Sequence, residues 1–346
     1  MQGRSNSDPQ GWPVGDLRIA VVLLLWLVGC GGEDTRSVTI YCSHDRAHSE
    51  KILDLFEQET GIEVKAVFDS EATKTVGLVQ RVRSEKARPR CDVHWSNEPL
   101  HAERLAADGF YDVLPAGAGE GIAARWRDPA GRWCGFAARA RVLALAAQTP
   151  VIDSPPKRLE DLASEHWRGR VVIADPRFGT TGSHLAIVRS RIGPERYRRL
   201  LKDLRANDIQ VVSSNSSSRD RVLSGEAWIG LTDTDDIEVV RRRGATLGEG
   251  FLRGDGVLLL PNVIAIVKGG PHPEEARQLA LWLLEKSVEE ALAASSSRQV
   301  PLRREVIVAP GGLDIATLDP VSVDWKDAAQ QLPEAIREAE RILLDP

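Results

Sequence analysis

The feature that most constrains the fold of this chain is a regular alternation of short apolar runs and longer amphipathic segments. Residues 38–42 (VTIYC) have the length and composition of a buried strand. The next segment, 49–60, places Ile52, Leu53 and Phe56 at helical spacing before Gly61 ends it. The alternation continues to about residue 294. Because strands alternating with helices are typical of βαβ units, the sequence predicts an α/β fold with a largely parallel sheet.

Two long apolar runs, 135–147 and 257–267, bracket a second α/β block. This arrangement predicts two lobes joined by two crossover strands, with residues 38–139 and 258–346 in lobe 1 and residues 140–257 in lobe 2. A ligand cleft between the lobes and a hinge motion that closes it are the expected consequences. The pattern predicts helices at 49–60, 75–86, 100–108, 182–191, 194–206, 218–224, 236–243, 273–285, 288–294 and 333–344.

The N-terminus is typical of an export signal. Residues 19–28 are about ten apolar residues, whereas a membrane-spanning helix needs roughly 20. They end in Leu27-Val28-Gly29-Cys30, the pattern of a bacterial lipoprotein signal. We therefore predict a signal peptide at 1–29, a tether at 30–37 and a lipid anchor on Cys30, in the periplasm or at the cell surface. The alternative is a buried helix that contains a cysteine.

Composition excludes several classes of protein. The net charge is −5 and the basic residues are scattered, so a nucleic-acid-binding surface is not expected. The sequence has no GxSxG, HExxH or Walker motif, and we predict that the protein is not an enzyme. Beyond Cys30, the cysteines are Cys42, Cys91 and Cys134, which form either one disulfide and a free thiol or three thiols.

A cluster of carboxylates follows a predicted strand in the second block. Asp233, Asp235 and Asp236 lie within four residues and open a predicted helix. Carboxylates this close repel one another, so the cluster favours a cation, either a hard metal ion or an ammonium group. The alternative is that these residues cap the helix and complement its dipole.

Residues that suit an anion occur nearby in the second block. Gly179, Thr180 and Thr181 precede a predicted helix, where backbone N–H groups and hydroxyls bind anions. Arg139 lies on the first crossover run and has the donors for a carboxylate or phosphate. A helix cap without a ligand is the alternative for the glycine-threonine segment.

Further candidates follow the strands of lobe 1. Ser43 and His44 come directly after the first strand, at its C-terminal end, where clefts form. Glu71 follows the second strand and either faces the cleft or caps a helix.

These residues resemble a known family. The segments VTIYCSHDRAHSEKILDLFEQETGIEVKAVFDSEATKT, RCDVHWSNEPLHAERLAADGFYDVL, FGTTGSH, IGLTDTDD and PNVIAIVKGGPHPEEARQLALWLLE are similar, in this order, to the bacterial iron(III)-type solute-binding proteins of ABC transporters. The resemblance covers nearly all of residues 38–302. It implies a type II periplasmic-binding fold with two crossover strands and a permease-ATPase partner.

The resemblance also implies site residues. The family holds iron with a histidine, a glutamate and two adjacent tyrosines, together with a synergistic anion. His44 matches the histidine, Asn97 and the adjacent Glu98 fall at the glutamate, and Asp235-Asp236 fall at the tyrosine pair. Asn215 matches another family contact, and the 179–183 segment matches the anion-binding loop.

The resulting prediction is the solute-binding component of an ABC importer that captures iron(III) or another metal ion with an anion. His44, Asp235 and Asp236 are the predicted metal ligands, and no resident cofactor is expected. The alternatives are a binding protein for a small organic anion or zwitterion, or the ligand-binding subunit of a sensor. A monomer without nucleic-acid partners is expected in each case.

Overall fold

The computed structural model describes residues 36–69, 76–147, 149, 151 and 153–345. The predicted signal peptide, Cys30, most of the tether and Glu71 lie outside the described residues. The strands are β1 (Ser37–Cys42), β2 (Glu63–Phe68), β3 (Val93–Ser96), β4 (Cys134–Leu145), β5 (Val171–Ala174), β6 (Gln210–Val212), β7 (Ile229–Asp233), β8 (Gly248–Gly250) and β9 (Leu259–Ile266).

The helices fill the connections between these strands, which confirms the predicted α/β class. The sheet is mixed rather than largely parallel, because β4 and β9 pair antiparallel with their neighbours. The helices are α1 (Arg46–Thr60), α2 (Val76–Ser84), α3 (Pro99–Ala107), α4 (Gly179–Ile192), α5 (Pro194–Ala206), α6 (Asn215–Leu223), α7 (Thr234–Arg241), α8 (Pro273–Leu283), α9 (Lys286–Ala294), α10 (Ile315–Leu318) and α11 (Trp325–Ala339).

The two long apolar runs of the sequence are the central strands. The strand order of the described sheet is β2-β1-β3-β9-β4-β7-β5-β6, with β8 also paired to β4. β4 pairs with β9 through Ala140 and with β7 from Arg141 onward. All twelve residues of β4 are buried, which explains its nearly continuous apolar sequence. The partner change lies next to the predicted boundary between lobes, and the lobe boundaries themselves stay a prediction.

Seven of the described helices begin earlier than their sequence patterns predict, and the differences are largest for α1, α4, α6 and α11. α4 starts at Gly179 rather than at 182, and α6 starts at Asn215 rather than at 218. The first turns of α4 and α6 consist of small polar residues without apolar periodicity, so the sequence pattern predicts loops there. α11 starts at Trp325 and contains Pro333, which was predicted to be the first residue of that helix.

The C-terminal helix packs against both halves of the chain. Glu338 of α11 accepts hydrogen bonds from Arg189 Nε (3.0 Å) and Arg198 Nη1 (2.7 Å) of α4 and α5. Trp325, at the other end of α11, donates from its indole nitrogen to the backbone oxygen of Arg125 at 2.7 Å. α11 also packs against α3. The helix is thus held by both lobes that the sequence predicts.

The three cysteines of the described chain are buried free thiols, so the alternative without a disulfide is correct. Burial raises the pKa of Cys42 and Cys134 to about 12, which keeps both thiols protonated. None of the described helices is both long enough and apolar enough to cross a membrane.

Candidate functional site

A cleft of about 560 Å³ lies where several helices begin. Its wall includes the residues at the N-terminal ends of α1, α3, α4, α6 and α7. Because backbone N–H groups at a helix N-terminus are unpaired and carry partial positive charge, this cleft combines five such ends. Of the predicted site residues, the lining includes Asn97, Glu98, Arg139, Gly179, Thr180, Asn215, Asp233, Asp235 and Asp236.

Asp233 is held in a buried network by Arg141. Arg141 Nη1 donates to Asp233 Oδ1 at 2.8 Å and to Thr180 Oγ1 at 2.8 Å. The other carboxylate oxygen accepts from Thr180 Oγ1 (2.7 Å) and from Asn215 Nδ2 (2.9 Å). Burial by itself raises the pKa of Asp233, but the guanidinium groups of Arg141 and Arg139 outweigh it and the pKa is lowered. Asp233 is therefore ionised and already neutralised.

Arg139 joins the carboxylates on both sides of the cleft. Its Nη2 donates to the backbone oxygen of Asn97 at 2.8 Å and lies 3.9 Å from Glu98 Oε1. Its Nη1 lies 3.8 Å from Asp235 Oδ2. Burial lowers the pKa of Arg139, but Asp235, Asp233 and Glu98 raise it by more, so the guanidinium stays charged.

Asp233, Asp235 and Asp236 form the closest carboxylate group in the cleft. One oxygen from each lies within 4.8 Å of the others. Burial, together with the nearby Asp236 and Asp233, raises the pKa of Asp235 to about 8 against the opposing effect of Arg139. Asp236 accepts from Thr232 Oγ1 at 2.9 Å, and its Oδ1 lies 3.7 Å from Arg219 Nη1. The group has the oxygen donors that a hard cation requires.

Glu98 is a second carboxylate with unusual electrostatics. Burial raises its pKa to about 7, although Arg139 and the hydrogen bond from Ser183 oppose the shift. Glu98 Oε2 accepts from Ser183 Oγ of α4, which joins the N-terminal ends of α3 and α4. Glu98 Oε1 has no hydrogen-bond partner among the described residues.

The N-terminal ends of α4 and α6 form another part of the cleft wall, where Thr180 and Asn215 donate to Asp233. Neither helix has an acidic residue in its first turn, and Ser214 caps α6 by accepting from Ser217 N at 3.1 Å. Gly182 is required in α4, because a Cβ there would lie 2.4 Å from the backbone oxygen of Pro176. These two ends present backbone N–H groups that suit an anion. The cleft thus has groups for both a cation and an anion.

Three predicted residues do not line the cleft. Thr181 is buried and accepts from Arg141 Nη2 at 3.3 Å. The Ser43 hydroxyl donates to Asp69 Oδ2 at 3.4 Å. His44 packs against Trp95, with a ring-centroid distance of 5.4 Å, and neither of its ring nitrogens has a partner among the described residues.

His44 lies outside the group that Asp233, Asp235 and Asp236 form. Burial lowers its pKa to about 3, so the imidazole is neutral, the form that binds metals. As a metal ligand, His44 stays a prediction, and its side chain would have to turn toward the cleft.

The tyrosines of the chain lie elsewhere. Tyr41 donates to Glu85 at 2.8 Å, Tyr111 contacts His94 Nδ1 at 2.5 Å, and Tyr197 donates to the backbone oxygen of Ala335 at 2.9 Å. Burial raises the pKa of all three phenols. Within the described residues, the cleft lining therefore offers no phenolate.

Sequence reasoning missed Arg141 and several residues of the cleft wall. Arg139 and Arg141 are two apart on one apolar strand, so their side chains lie on the same face. Two arginines on a buried apolar strand were the signal that both guanidinium groups have buried partners. The missed lining residues are Asp45, Ala174, Asp175, Arg177, Phe178, Ser213, Ser214 and Ser216.

Comparisons with known proteins agree with this architecture. Residues 100–317 match the family model described as bacterial extracellular solute-binding protein. Iron uptake protein A1 of Synechocystis sp. is 24% identical over 290 residues, which are 79% of this chain and 79% of that protein.

Two solved structures are similar to this chain. The first is iron-bound HitA from Pseudomonas aeruginosa, with a TM-score of 0.80, 24% identity and coverage of 88% of this chain and 99% of that chain. The second is AfuA from Actinobacillus pleuropneumoniae with fructose-6-phosphate, with a TM-score of 0.76, 17% identity and coverage of 89% and 98%. The fold is accordingly of the type II periplasmic-binding class.

Proposed function

This chain belongs to the bacterial extracellular solute-binding proteins, and from that premise we propose that it is the binding component of an ABC importer. Its cargo is iron(III) or another metal ion, captured in the cleft together with a small anion. The observation that carries this proposal is the group of Asp233, Asp235 and Asp236, whose oxygens lie within 4.8 Å of one another.

The electrostatics of the cleft favour a cation at this group. Arg141 neutralises Asp233, but Arg139 is shared between Glu98 and Asp235. Both carboxyl groups have raised pKa values, so part of the negative charge is suppressed by bound protons. A multivalent cation replaces those protons and gains the ionised carboxylates as ligands.

The anion belongs at the N-terminal ends of α4 and α6. Backbone N–H groups there provide donors, and neither helix has an acidic residue in its first turn. An anion at these helix ends completes the coordination of a metal ion that the aspartates hold. The iron-bound HitA structure, which has the same fold, supports iron as the cation.

Cargo transfer follows from the two-lobed arrangement. Residues of both predicted lobes line the cleft, with Asn97 and Glu98 on one side and Asn215 and Asp235 on the other. Closure buries the ligand, and a permease with its ATPase opens the lobes to receive it. The protein acts as a monomer without catalysis, in the periplasm or at the cell surface, and the acylated Cys30 anchors it to the membrane.

A small phosphorylated or zwitterionic organic solute is the second candidate. Two observations favour it. The cleft lining contains no tyrosine among the described residues, and its volume of about 560 Å³ falls in the range of small-molecule pockets. AfuA, of the same fold, was solved with fructose-6-phosphate. In this case an ammonium group replaces the metal at the aspartates and a phosphate occupies the α4 end.

A thermal-shift screen of the full-length chain in detergent separates the two candidates. The metals iron(III), manganese(II) and zinc(II) are each tested with carbonate, phosphate or citrate, and a panel of phosphorylated and amine-bearing organic solutes is tested without metal. Cargo at about 100 times its Kd stabilises the protein by about 2.7 kcal/mol, and chelator reverses a metal's effect. Stabilisation by organic solutes alone, with no response to any metal, contradicts the metal proposal.

A further inference from the structure

Arg141, which bonds to Asp233 behind the cleft wall, lines a second pocket of about 140 Å³. This pocket shares no lining residue with the cleft. Cavities of about 150 Å³ lined by apolar side chains bind molecules the size of benzene. The second pocket therefore has room for an organic ligand of about six non-hydrogen atoms.

Two polar atoms of residues that line this pocket lack partners. Arg141 Nε and His184 Nδ1 are buried, and neither has a hydrogen-bond partner among the described residues. The terminal nitrogens of Arg141 are engaged by Thr180, Thr181 and Asp233. A buried donor without an acceptor costs about 1–3 kcal/mol, and more when it is charged, so an acceptor is expected here.

The charge of the pocket favours an anionic acceptor. His184 is affected by Arg141 and Arg191, which both oppose its protonation, and by the single carboxylate of Asp233. Burial and these cations lower the pKa of His184 to about 3, so its ring is neutral and available as a hydrogen-bond donor. The mouth carries the exposed Arg191 and Glu160.

The walls of the pocket are aliphatic. They come from Leu159, Ile187, Val188, Leu258 and Val321. A water molecule or an inorganic ion would not fill the aliphatic part of the pocket. A ligand with a short hydrocarbon chain and one anionic end matches both parts of the lining.

We propose that this pocket is a binding site for a short-chain aliphatic carboxylate. Its carboxylate accepts hydrogen bonds from Arg141 Nε and from the His184 ring, and its chain packs against the aliphatic walls. The site is distinct from the cargo cleft and does not depend on which cargo the cleft binds.

The test is isothermal titration calorimetry of the full-length chain in detergent, with sodium butyrate, n-butanol and sodium chloride as probes. We expect one butyrate per chain with a Kd in the millimolar range, and n-butanol at least about tenfold weaker because it lacks the charge. Sodium chloride should give no comparable heat. A crystal structure with butyrate should place its carboxylate about 3 Å from Arg141 Nε.

A substitution inside the pocket gives the control for location. Val188→Phe fills the pocket and should weaken butyrate at least about tenfold, whereas Val113→Phe makes the same change at an exposed position and should not. Circular dichroism and thermal melting verify that both variants fold. The proposal is overturned if butyrate does not bind at about 50 mM or if n-butanol binds equally well. It is also overturned if Val188→Phe leaves butyrate binding unchanged or if butyrate is found in the cleft.

Discussion

Arg141 and Asp233 are direct cross-strand partners of β4 and β7, and their side chains form a buried ion pair of 2.8 Å. The pair lies where the crossover strand enters the second block, and it fixes Thr180 and Asn215 at the same point. The floor of the cleft is therefore built by main-chain pairing and side-chain pairing together. The carboxylate that the sequence marks as a ligand has a structural role.

Replacing Arg141 by methionine should destabilise the protein strongly. Arg141→Met leaves Asp233 buried without its main counter-charge, a change that typically costs about 3–5 kcal/mol. Urea unfolding measures the free energy. The matched control is Arg83→Met, because Arg83 pairs with Asp108 near the surface and such pairs contribute about 0–1 kcal/mol. An equal decrease of the free energy of unfolding in the two variants would contradict the assigned role of the Arg141–Asp233 pair.

Neutralising Asp235 and Asp236 should reduce metal binding. The double variant Asp235→Asn, Asp236→Asn removes two of the three clustered carboxylates while Asp233 keeps its bonds to Arg141. Metal affinity, measured by calorimetry with citrate or phosphate present, should fall at least about tenfold, a change of about 1.4 kcal/mol. Asp208→Asn is the control at an exposed site of the same predicted lobe. If the double variant binds metal as tightly as this control, Asp235 and Asp236 are not metal ligands.

The buried His94 should make stability fall in acid. Burial lowers its folded-state pKa from 6.5 to about 4, so the unfolded chain binds more protons between these values. Stability contributed by neutral His94 is complete above about pH 6.5 and is lost as the pH falls toward 4.

The variant His94→Gln tests this contribution. Between pH 7 and pH 4.5, the free energy of unfolding of this variant, measured with urea, should fall by about 2 kcal/mol less than that of the wild type. Comparison at pH 7 isolates the separate cost of the lost contact with Tyr111. Parallel pH profiles for the two proteins would mean that His94 is not the titrating group.

Glu338 should hold the C-terminal helix in place. Its carboxylate is buried and accepts from Arg189 and Arg198, so Glu338→Gln weakens two charge-assisted bonds at once. Backbone amides of α11 should exchange hydrogen faster by about tenfold or more. Glu334→Gln is the control on the same helix, because the Glu334–Arg337 pair is exposed. Similar exchange in both variants would show that the Glu338 contacts do not limit opening.

Much of the fold was accessible from the sequence because its signals are local. The strand 171–174, the helix 194–206 and the two long apolar runs depend on composition and on the period of apolar residues, and the structure has them at or near the predicted positions. Pro333 misled the prediction of α11, because proline is typical of a first helical residue. Packing against α3 and α4 holds a helix that continues through it.

The site was predictable only in outline. The sequence identified Asp233, Asp235, Asp236, Arg139 and the 179–183 segment, and all but Thr181, Gly182 and Ser183 line one cleft. It assigned the aspartates to a cation and Arg139 and the 179–183 segment to an anion, but it did not identify a counter-ion for Asp233. Whether a carboxylate is a ligand or a structural counter-ion depends on which cation lies beside it, and Arg141 is 92 residues away from Asp233 along the chain.

The sequence by itself thus determined the order of strands and helices, the two crossover runs and the residues that suit a bipolar ligand. The tertiary structure alone decided that Asp233 is neutralised by Arg141, that Asp235 is not, and that His44 is buried beside Trp95. The physical reason is that periodicity and motif are properties of neighbouring residues. Charge balance, burial and pKa depend on groups that meet only after the chain has folded.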